Sequence, residues 1–389
     1  MFKNGFNLLK NQYMKFSAIT STITSTPAKK QKIAEYKWWK EVPDYYTKGK
    51  LTKQEFEHFF TEGYVLKENL LDVNLLDQCL DDLNIIVDKI AYSLQKEGKI
   101  KNIYQNRKLD DRVKLLEKDY PNFSVIMHKY GILQPGYEKI WGSEPLLDAV
   151  GQILGPETDI GGNPIWNHRI KLPNNSQSIV PFHQDNAYFD EACWEHLIVV
   201  AWIPLINTNA DNGTLQVLKK GQKKGITVEH TGCWKDTWYV DIPDETIEKD
   251  LGVELNNDNI ITPNVCKGSV LFLSNLLPHR SSNNISNDVR WSLDLRFNDF
   301  NAPSGYEKPN ILLRKAKGSI SNEGKDGKET KHQKIDWESW ARLNRHESLV
   351  AEEIDLTTTI HGPWMDKWKI TNENRHTQDR KNYHMAKKI

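Results

Sequence analysis

This chain has no net charge to speak of. Its 52 basic residues balance 52 acidic ones, for a formal charge of +0. No field therefore recruits nucleic acid or an anionic membrane surface. Cysteine is scarce: Cys79, Cys193, Cys233 and Cys266 show no CxxC or CxxH spacing. That excludes a zinc knuckle or a disulfide framework and favours a reducing compartment. No apolar run approaches the roughly 20 residues that span a bilayer. There is no secretory apolar core, no internal repeat, and the final Ala386-Lys387-Lys388-Ile389 is not a peroxisomal tripeptide. Residues 1–34 lack Asp, Glu and Arg, yet carry six lysines around a Ser/Thr run from Ser17 to Thr26. Such a stretch reads either as a mitochondrial transit segment or as a disordered tail. The expected location is intracellular, cytoplasmic or organellar.

The 389 residues suffice for one large domain or two smaller ones, and 13 Trp and 14 Tyr suit a β-rich core. Between Thr52 and Leu94 the pattern is helical, with Phe56, Phe59 and Phe60 on one face and Asp72 as an N-cap. An extended stretch, Gly63-Tyr64-Val65-Leu66, interrupts it. Leu146–Leu154 forms another helical segment. From about Thr158 to Phe297 short strands take over: Trp166–Leu172, Val180–Asp185, Leu197–Leu205, Thr214–Leu218, Ser269–Leu273 and Val289–Phe297. Turn signals such as Asp211-Asn212-Gly213 and Lys267-Gly268 separate them. Many short strands with such spacing predict a mainly β class, a sandwich or a jelly roll, with helices ahead of it. The predicted division is a tail over 1–40, a core domain over 41–300, and a helical C-terminal extension over 301–389 with a polar loop at 321–334.

One strand carries unusual information. In Val289–Phe297 the residues Val289, Trp291, Leu293, Leu295 and Phe297 share an apolar face, while Arg290, Ser292, Asp294 and Arg296 share the other. The polar face either meets water or lines a barrel interior. In an interior Arg290 needs an anion, because an unpaired buried charge is costly. Asp294 lies roughly 13 Å further along the strand and is better placed beside Arg296. Arg290 is thus left to grip an external carboxylate through its planar fork, with Ser292 on the same face.

Twelve histidines are present, and a lone histidine means little. His183 is distinguished by Asp185 two residues on, which a strand places on the same face. His279 supplies a second imidazole, eleven residues before Arg290. Two histidines and a carboxylate form the facial set of non-haem Fe(II) oxygenases, which leaves coordination positions open. Tyr188, Trp194 and Trp202 are candidate pocket-lining aromatics, with plain packing as the alternative. His168, His196 and Cys193 lie near the motif without a defined role.

Taken in order, these motifs resemble the phytanoyl-CoA dioxygenase family of Fe(II)/2-oxoglutarate oxygenases. The similarity runs from about Gln54 to Phe300. It includes Glu62-Gly63-Tyr64-Val65, the block Pro181-Phe182-His183-Gln184-Asp185-Asn186-Ala187-Tyr188-Phe189, Trp202-Ile203-Pro204-Leu205 with Asp211-Asn212-Gly213-Thr214-Leu215, and Lys267-Gly268-Ser269-Val270-Leu271-Phe272 followed by His279 and Arg290. The resemblance implies a mainly β fold with packed helices around a double-stranded β-helix (jelly-roll or cupin-like) core, with His183, Asp185 and His279 as iron ligands. It also implies that Arg290 anchors 2-oxoglutarate, with Ser292, Lys171 and Thr214 as further contacts. The retained Asp185 disfavours halogenation, since halogenating relatives lack the acidic ligand. The chain departs from the family at Lys219-Lys220-Gly221-Gln222, where members often carry Pro-Gly-Ser-His.

The expected function is oxidation, chiefly hydroxylation, of a C–H bond in a small organic molecule, with dioxygen as co-substrate and release of succinate and CO2. The alternatives are a non-catalytic jelly-roll binding module and a cupin-type metalloenzyme that does not use 2-oxoglutarate. Substrate identity and oligomeric state are not encoded in any motif, and no nucleic-acid partner is expected.

Overall fold

A computed structural model describes residues 37–316, 335–338, 340 and 354–386. The transit-segment reading of 1–34 and the polar loop of 321–334 lie outside these residues. Trp38 and Trp39, which a boundary at residue 40 leaves in the tail, are buried in the core.

Among the described residues, six helices precede the main strands: α1 (Lys53–Glu62), α2 (Val73–Lys96), α3 (Leu109–Asp119), α4 (Phe123–Lys129), α5 (Pro135–Trp141) and α6 (Glu144–Leu154). The start of α1 is a capping box: Thr52 accepts from the Glu55 N–H while the Glu55 carboxylate accepts from the Thr52 N–H. Gly63 ends it at φ +91, a left-handed conformation that a side chain resists. Asp72 caps α2 through the Asn74 N–H, as the sequence predicts. The strand β1 (Tyr64–Lys67) occupies the predicted extended stretch between them.

The remaining strands are β2 (Ile160–Gly162), β3 (Asn167–Lys171), β4 (Val180–His183), β5 (Val199–Pro204), β6 (Leu215–Leu218), β7 (Thr231–Gly232), β8 (Ile260–Ile261), β9 (Val270–Ser274), β10 (His279–Ser281), β11 (Arg290–Asp299), β12 (Ile311–Arg314) and β13 (Lys369–Ile370). They form a seven-stranded sheet in the order β1-β9-β5-β11-β2-β12, with β3 also beside β11, and a four-stranded sheet β4-β10-β6-β8. A small parallel pair, β13-β7, stands apart. The strands of the two larger sheets pair antiparallel. All six predicted strands are present, each within two residues of its predicted ends, and β12 draws residues 311–314 of the predicted extension into the main sheet.

Alternation divides the large sheet into two faces. Val199, Ala201 and Ile203 of β5, Phe272 of β9 and Trp291, Leu293 and Leu295 of β11 pack against the helices. Val200, Trp202, Leu271 and Leu273 point the other way, toward Leu215 and Val217 of the small sheet. This is a jelly-roll core, two antiparallel sheets facing one another across a common interior. Each fully buried Leu, Val or Phe in such a layer contributes on the order of 1.5–3 kcal/mol. The polar side of β11 faces the interior, not water: Arg290 through Asn298 are all buried. Of the two readings of that strand, the interior one holds. Among the described residues, no helix is long and apolar enough to cross a membrane.

Candidate metal centre

Two strand ends and a turn converge in the interior. His183 closes β4, His279 opens β10, and the two are direct register partners across that ladder. Their ring centroids lie 4.3 Å apart. Asp185 stands one residue beyond Gln184, whose extended backbone (φ −98, ψ 138) continues the alternation of β4 and brings the carboxylate to the same side as His183. Asp185 then starts a single 3-10 turn, Asp185–Tyr188. One oxygen lies 3.6 Å from His183 Nε2 and 3.8 Å from His279 Nε2. Ligand atoms of all three residues fall within 4.8 Å of one another.

The tautomers follow from the outer nitrogens. His183 Nδ1 is 2.9 Å from the Pro181 carbonyl, and His279 Nδ1 is 3.0 Å from the Leu277 carbonyl. A carbonyl only accepts, so each Nδ1 carries the proton and each Nε2 presents a lone pair to the centre. Burial, then the neighbouring His183, draws His279 down to about 4, which keeps it neutral at physiological pH. Burial alone would raise Asp185. The Arg296 guanidinium, followed by the two imidazoles, outweighs that and holds the carboxyl well below the usual range. Arg296 Nε donates to Asp185 Oδ2 at 2.8 Å, while Asp185 Oδ1 is buried with no hydrogen-bond partner. Two imidazole lone pairs and one orphaned anionic oxygen, gathered in a dry interior, form a donor set that fits a divalent cation with open positions.

The same cavity extends along β11 to Arg290, and its wall includes Trp202, Lys171, Arg169, Asp294 and Tyr239. Arg290 is 3% exposed. It donates from NH1 to Ser292 Oγ at 2.7 Å, lies 5.6 Å above the Trp202 ring, and leaves Nε without a partner. Burial draws it down to about 10; Asp294 opposes that and Arg169 reinforces it. Opposite Arg290 in the ladder stands Lys171, whose ammonium donates to the Ser178 and Ser282 carbonyls at 2.6 Å each. Gly213 is required here, because a Cβ at that position would collide with the Lys171 stem.

The other candidates separate. Trp202 lines the cavity, whereas Tyr188, Trp194, Ser292 and Thr214 do not. Thr214 commits its hydroxyl to the Pro263 carbonyl at 3.0 Å. Tyr188 packs edge-on to His183 at 5.7 Å. Trp194 donates its indole N–H to the Asn186 carbonyl at 2.9 Å and supports the turn. Asp294 does not pair with Arg296 as the single strand suggests. It accepts from Arg169 Nε at 2.7 Å, a residue of β3 that sequence reasoning missed, and Arg169 also donates to the Tyr239 hydroxyl at 3.3 Å. The unusual Lys219–Gln222 stretch packs against the end of α1, where Lys220 N–H donates to the Glu62 carbonyl at 2.9 Å and the Gln222 amide donates to Phe60. It lies outside the cavity wall.

Buried neutral histidines make stability depend on pH. Burial draws His168 and His279 down to about 4 and His230 and His376 to about 3. Unfolded, each titrates near 6.5, so the unfolded chain binds more protons below that pH. Their contribution is complete above about 6.5 and is lost as pH falls toward 4. Burial holds a fifth, His128, down as well, while Asp241, pushed up to about 6 by burial, acts in the opposite direction together with the raised Asp82, Asp110 and Glu138. The melting temperature of the metal-free protein should fall by more than about 10 °C between pH 7 and 4.5; a flat melting curve over that window would contradict this account.

Comparison with known proteins places the arrangement. The family model described as Phytanoyl-CoA dioxygenase (PhyH) matches residues 59–292. The chain belongs to the phytanoyl-CoA dioxygenase family. Its class is that of an Fe(II)- and 2-oxoglutarate-dependent oxygenase. No curated protein sequence matches it. Similar solved structures include ThoJ, a non-heme monooxygenase, in its apo form, at 18% identity over 74% of this chain and 92% of that one, TM-score 0.46. EctD from S. alaskensis in its apoform is 14% identical over 69% and 88%, TM-score 0.46. EvdO2 from Micromonospora carbonacea var. aurantiaca, complexed with 2-oxoglutarate, is 14% identical over 67% and 95%, TM-score 0.38.

Proposed function

We propose that His183, Asp185 and His279 hold Fe(II), that Arg290 grips the far carboxylate of 2-oxoglutarate, and that the enzyme hydroxylates a C–H bond of a small organic molecule. The bound iron, with 2-oxoglutarate and dioxygen, supplies the oxidant and releases succinate and CO2. The observation that carries the reading is the pairing of two buried, incompletely bonded groups in one cavity: Asp185 Oδ1 among two imidazole nitrogens, and the Arg290 guanidinium with a free Nε.

The chain's own residues then have separable tasks. Arg296 keeps Asp185 anionic and aims its free oxygen. Pro181 and Leu277 carbonyls fix the imidazole tautomers. Ser292 orients the Arg290 fork, and Trp202 supports it from below. Lys171 gives two of its donors to backbone carbonyls, and burial, with Arg290 and Arg169 beside it, holds its pKa well below the usual lysine range. The apolar layer of Val200, Leu271 and Leu273 helps keep water out of the interior.

Anaerobic titration of the metal-free protein with Fe(II) and then 2-oxoglutarate tests this before any substrate is known. A weak visible charge-transfer band should appear only when both are present, and Arg290→Ala should raise the 2-oxoglutarate concentration needed to form it. Iron binding with no such band would remove the oxoacid from the reading and favour a metalloenzyme of another kind. No iron binding would sink it altogether.

A further inference from the structure

The residues Ile354–Ala386 lie beyond the family-matched region, yet they return to the metal motif. They contain α7 (Trp364–Lys367), β13 and α8 (Arg375–Ala386). Parallel pairing of Lys369 with Thr231 and Ile370 with Gly232 fixes their register against β7. At the far end Arg375 donates to Asn122 Oδ1 at 3.1 Å and to Gln177 Oε1 at 2.8 Å.

Just ahead of β13 the segment touches the turn that carries Asp185, and it reaches His183 through Tyr188. Trp368 donates its indole N–H to the Ala187 carbonyl at 2.8 Å, two residues past Asp185. Its ring lies parallel to Trp194 at 6.3 Å, and Trp194 itself holds the Asn186 carbonyl. Lys367 donates to the Phe189 carbonyl and sits 5.0 Å above the Trp194 ring. Trp364 meets Tyr188 edge-on at 5.3 Å, and Tyr188 meets His183 edge-on at 5.7 Å. The Trp364 indole also donates to the Trp238 carbonyl at 3.0 Å, on the cavity wall.

A single 3-10 turn has few internal hydrogen bonds to hold its shape. The turn Asp185–Tyr188 keeps its ligand aimed only as well as its carbonyls and its outward face are held. We propose that Trp364 and Trp368 are positioning residues, Trp368 for Asp185 through the Ala187 carbonyl and Trp364 for His183 through Tyr188. The C-terminal segment is then a working part of the metal centre and not only added stability. This rests on the ligand assignment made above. Supporting groups of this kind change metal affinity by about 10–100-fold.

The test uses Co(II) alone as the probe, titrated anaerobically into the metal-free full chain, reading the dissociation constant and the visible d–d band. Melting temperatures are measured alongside. Failure of the unaltered protein to bind Co(II) would overturn the ligand assignment and this inference with it. Given binding, Trp368→Phe keeps the aromatic stack but loses the N–H donor; it should weaken Co(II) about tenfold and shift the band, and Trp368→Ala should do more. Trp364→Ala should also alter the band, and Trp364→Phe, which keeps the edge contact with Tyr188, should restore it. If both alanine variants fail to fold, Trp368→Phe carries the decision. Variants that melt lower but bind within twofold, with an unchanged band, would show support of the fold only and would overturn the proposal.

Discussion

Arg296→Leu is expected to weaken iron binding about a hundredfold at neutral pH, and Asp185→Ala to abolish it together with succinate formation. The first of these is the more informative. Arg296 lies on the interior face of β11 and makes no contact that a metal ion would replace. Its Nε donates at 2.8 Å to the Asp185 oxygen on the far side from the imidazoles. Asp185 is 1% exposed. Removing one partner of a buried pair typically costs about 3–5 kcal/mol, because the remaining charge is left uncompensated. The carboxyl escapes that cost by taking up a proton, since burial now acts on it without the main opposing charge. An incoming cation must then expel the proton and also aim a side chain that nothing holds. The variant should regain part of its affinity as pH rises, whereas Asp185→Ala should not. Calorimetric titration with Fe(II) at two pH values distinguishes the cases. Arg296→Leu binding within twofold of the unaltered protein would show that the ion pair is dispensable.

That pair also shows what one strand's pattern can and cannot reveal. The period-two alternation of β11 is explicit in the sequence, and it places Arg290, Ser292, Asp294 and Arg296 on one face. It does not say which carboxylate meets which guanidinium. Spacing within the strand favours Asp294 beside Arg296. The fold instead sets β3 against β11, with Arg169 opposite Ser292, and gives Asp294 to Arg169. Register between strands 125 residues apart is decided by the whole sheet, so Arg169 has no local signature. The convergence of His183 and Asp185 is easier to read, because His-x-Asp is a local geometric statement and survives any choice of partner strand. Thr214 likewise takes a partner that no local pattern gives: its hydroxyl donates to Pro263, a carbonyl 49 residues away, and it stands off the cavity wall. The tryptophans at 364 and 368 announce a folded extension by composition. Their targets, 126 and 181 residues upstream, are visible only in three dimensions.

Arg290→Met should act on two quantities in opposite directions. In the metal-free protein Arg290 is a charge 97% removed from water, with one N–H on a serine, Nε unpartnered and no carboxylate bonded to it. Such a group costs stability, and an apolar side chain of similar length is often neutral or favourable by about 1–4 kcal/mol. The melting temperature of the variant should therefore hold or rise. Its affinity for 2-oxoglutarate should fall, because truncating a buried charged partner costs on the order of 2–5 kcal/mol, or roughly thirtyfold to several thousandfold in dissociation constant. Arg290→Lys keeps the charge but not the planar fork that Ser292 orients, so it should fall between the two. Iron binding in the absence of 2-oxoglutarate should barely change, since the triad, on β4, β10 and the turn after β4, meets β11 at Arg296 and not at Arg290. The pattern to look for is a stable protein that binds metal and ignores the oxoacid. A variant that instead melts well below the unaltered protein, with 2-oxoglutarate binding intact, would make Arg290 a structural residue and leave the co-substrate without its anchor. Stability held or raised, with binding lost, is what a buried charge placed to receive an anion should show.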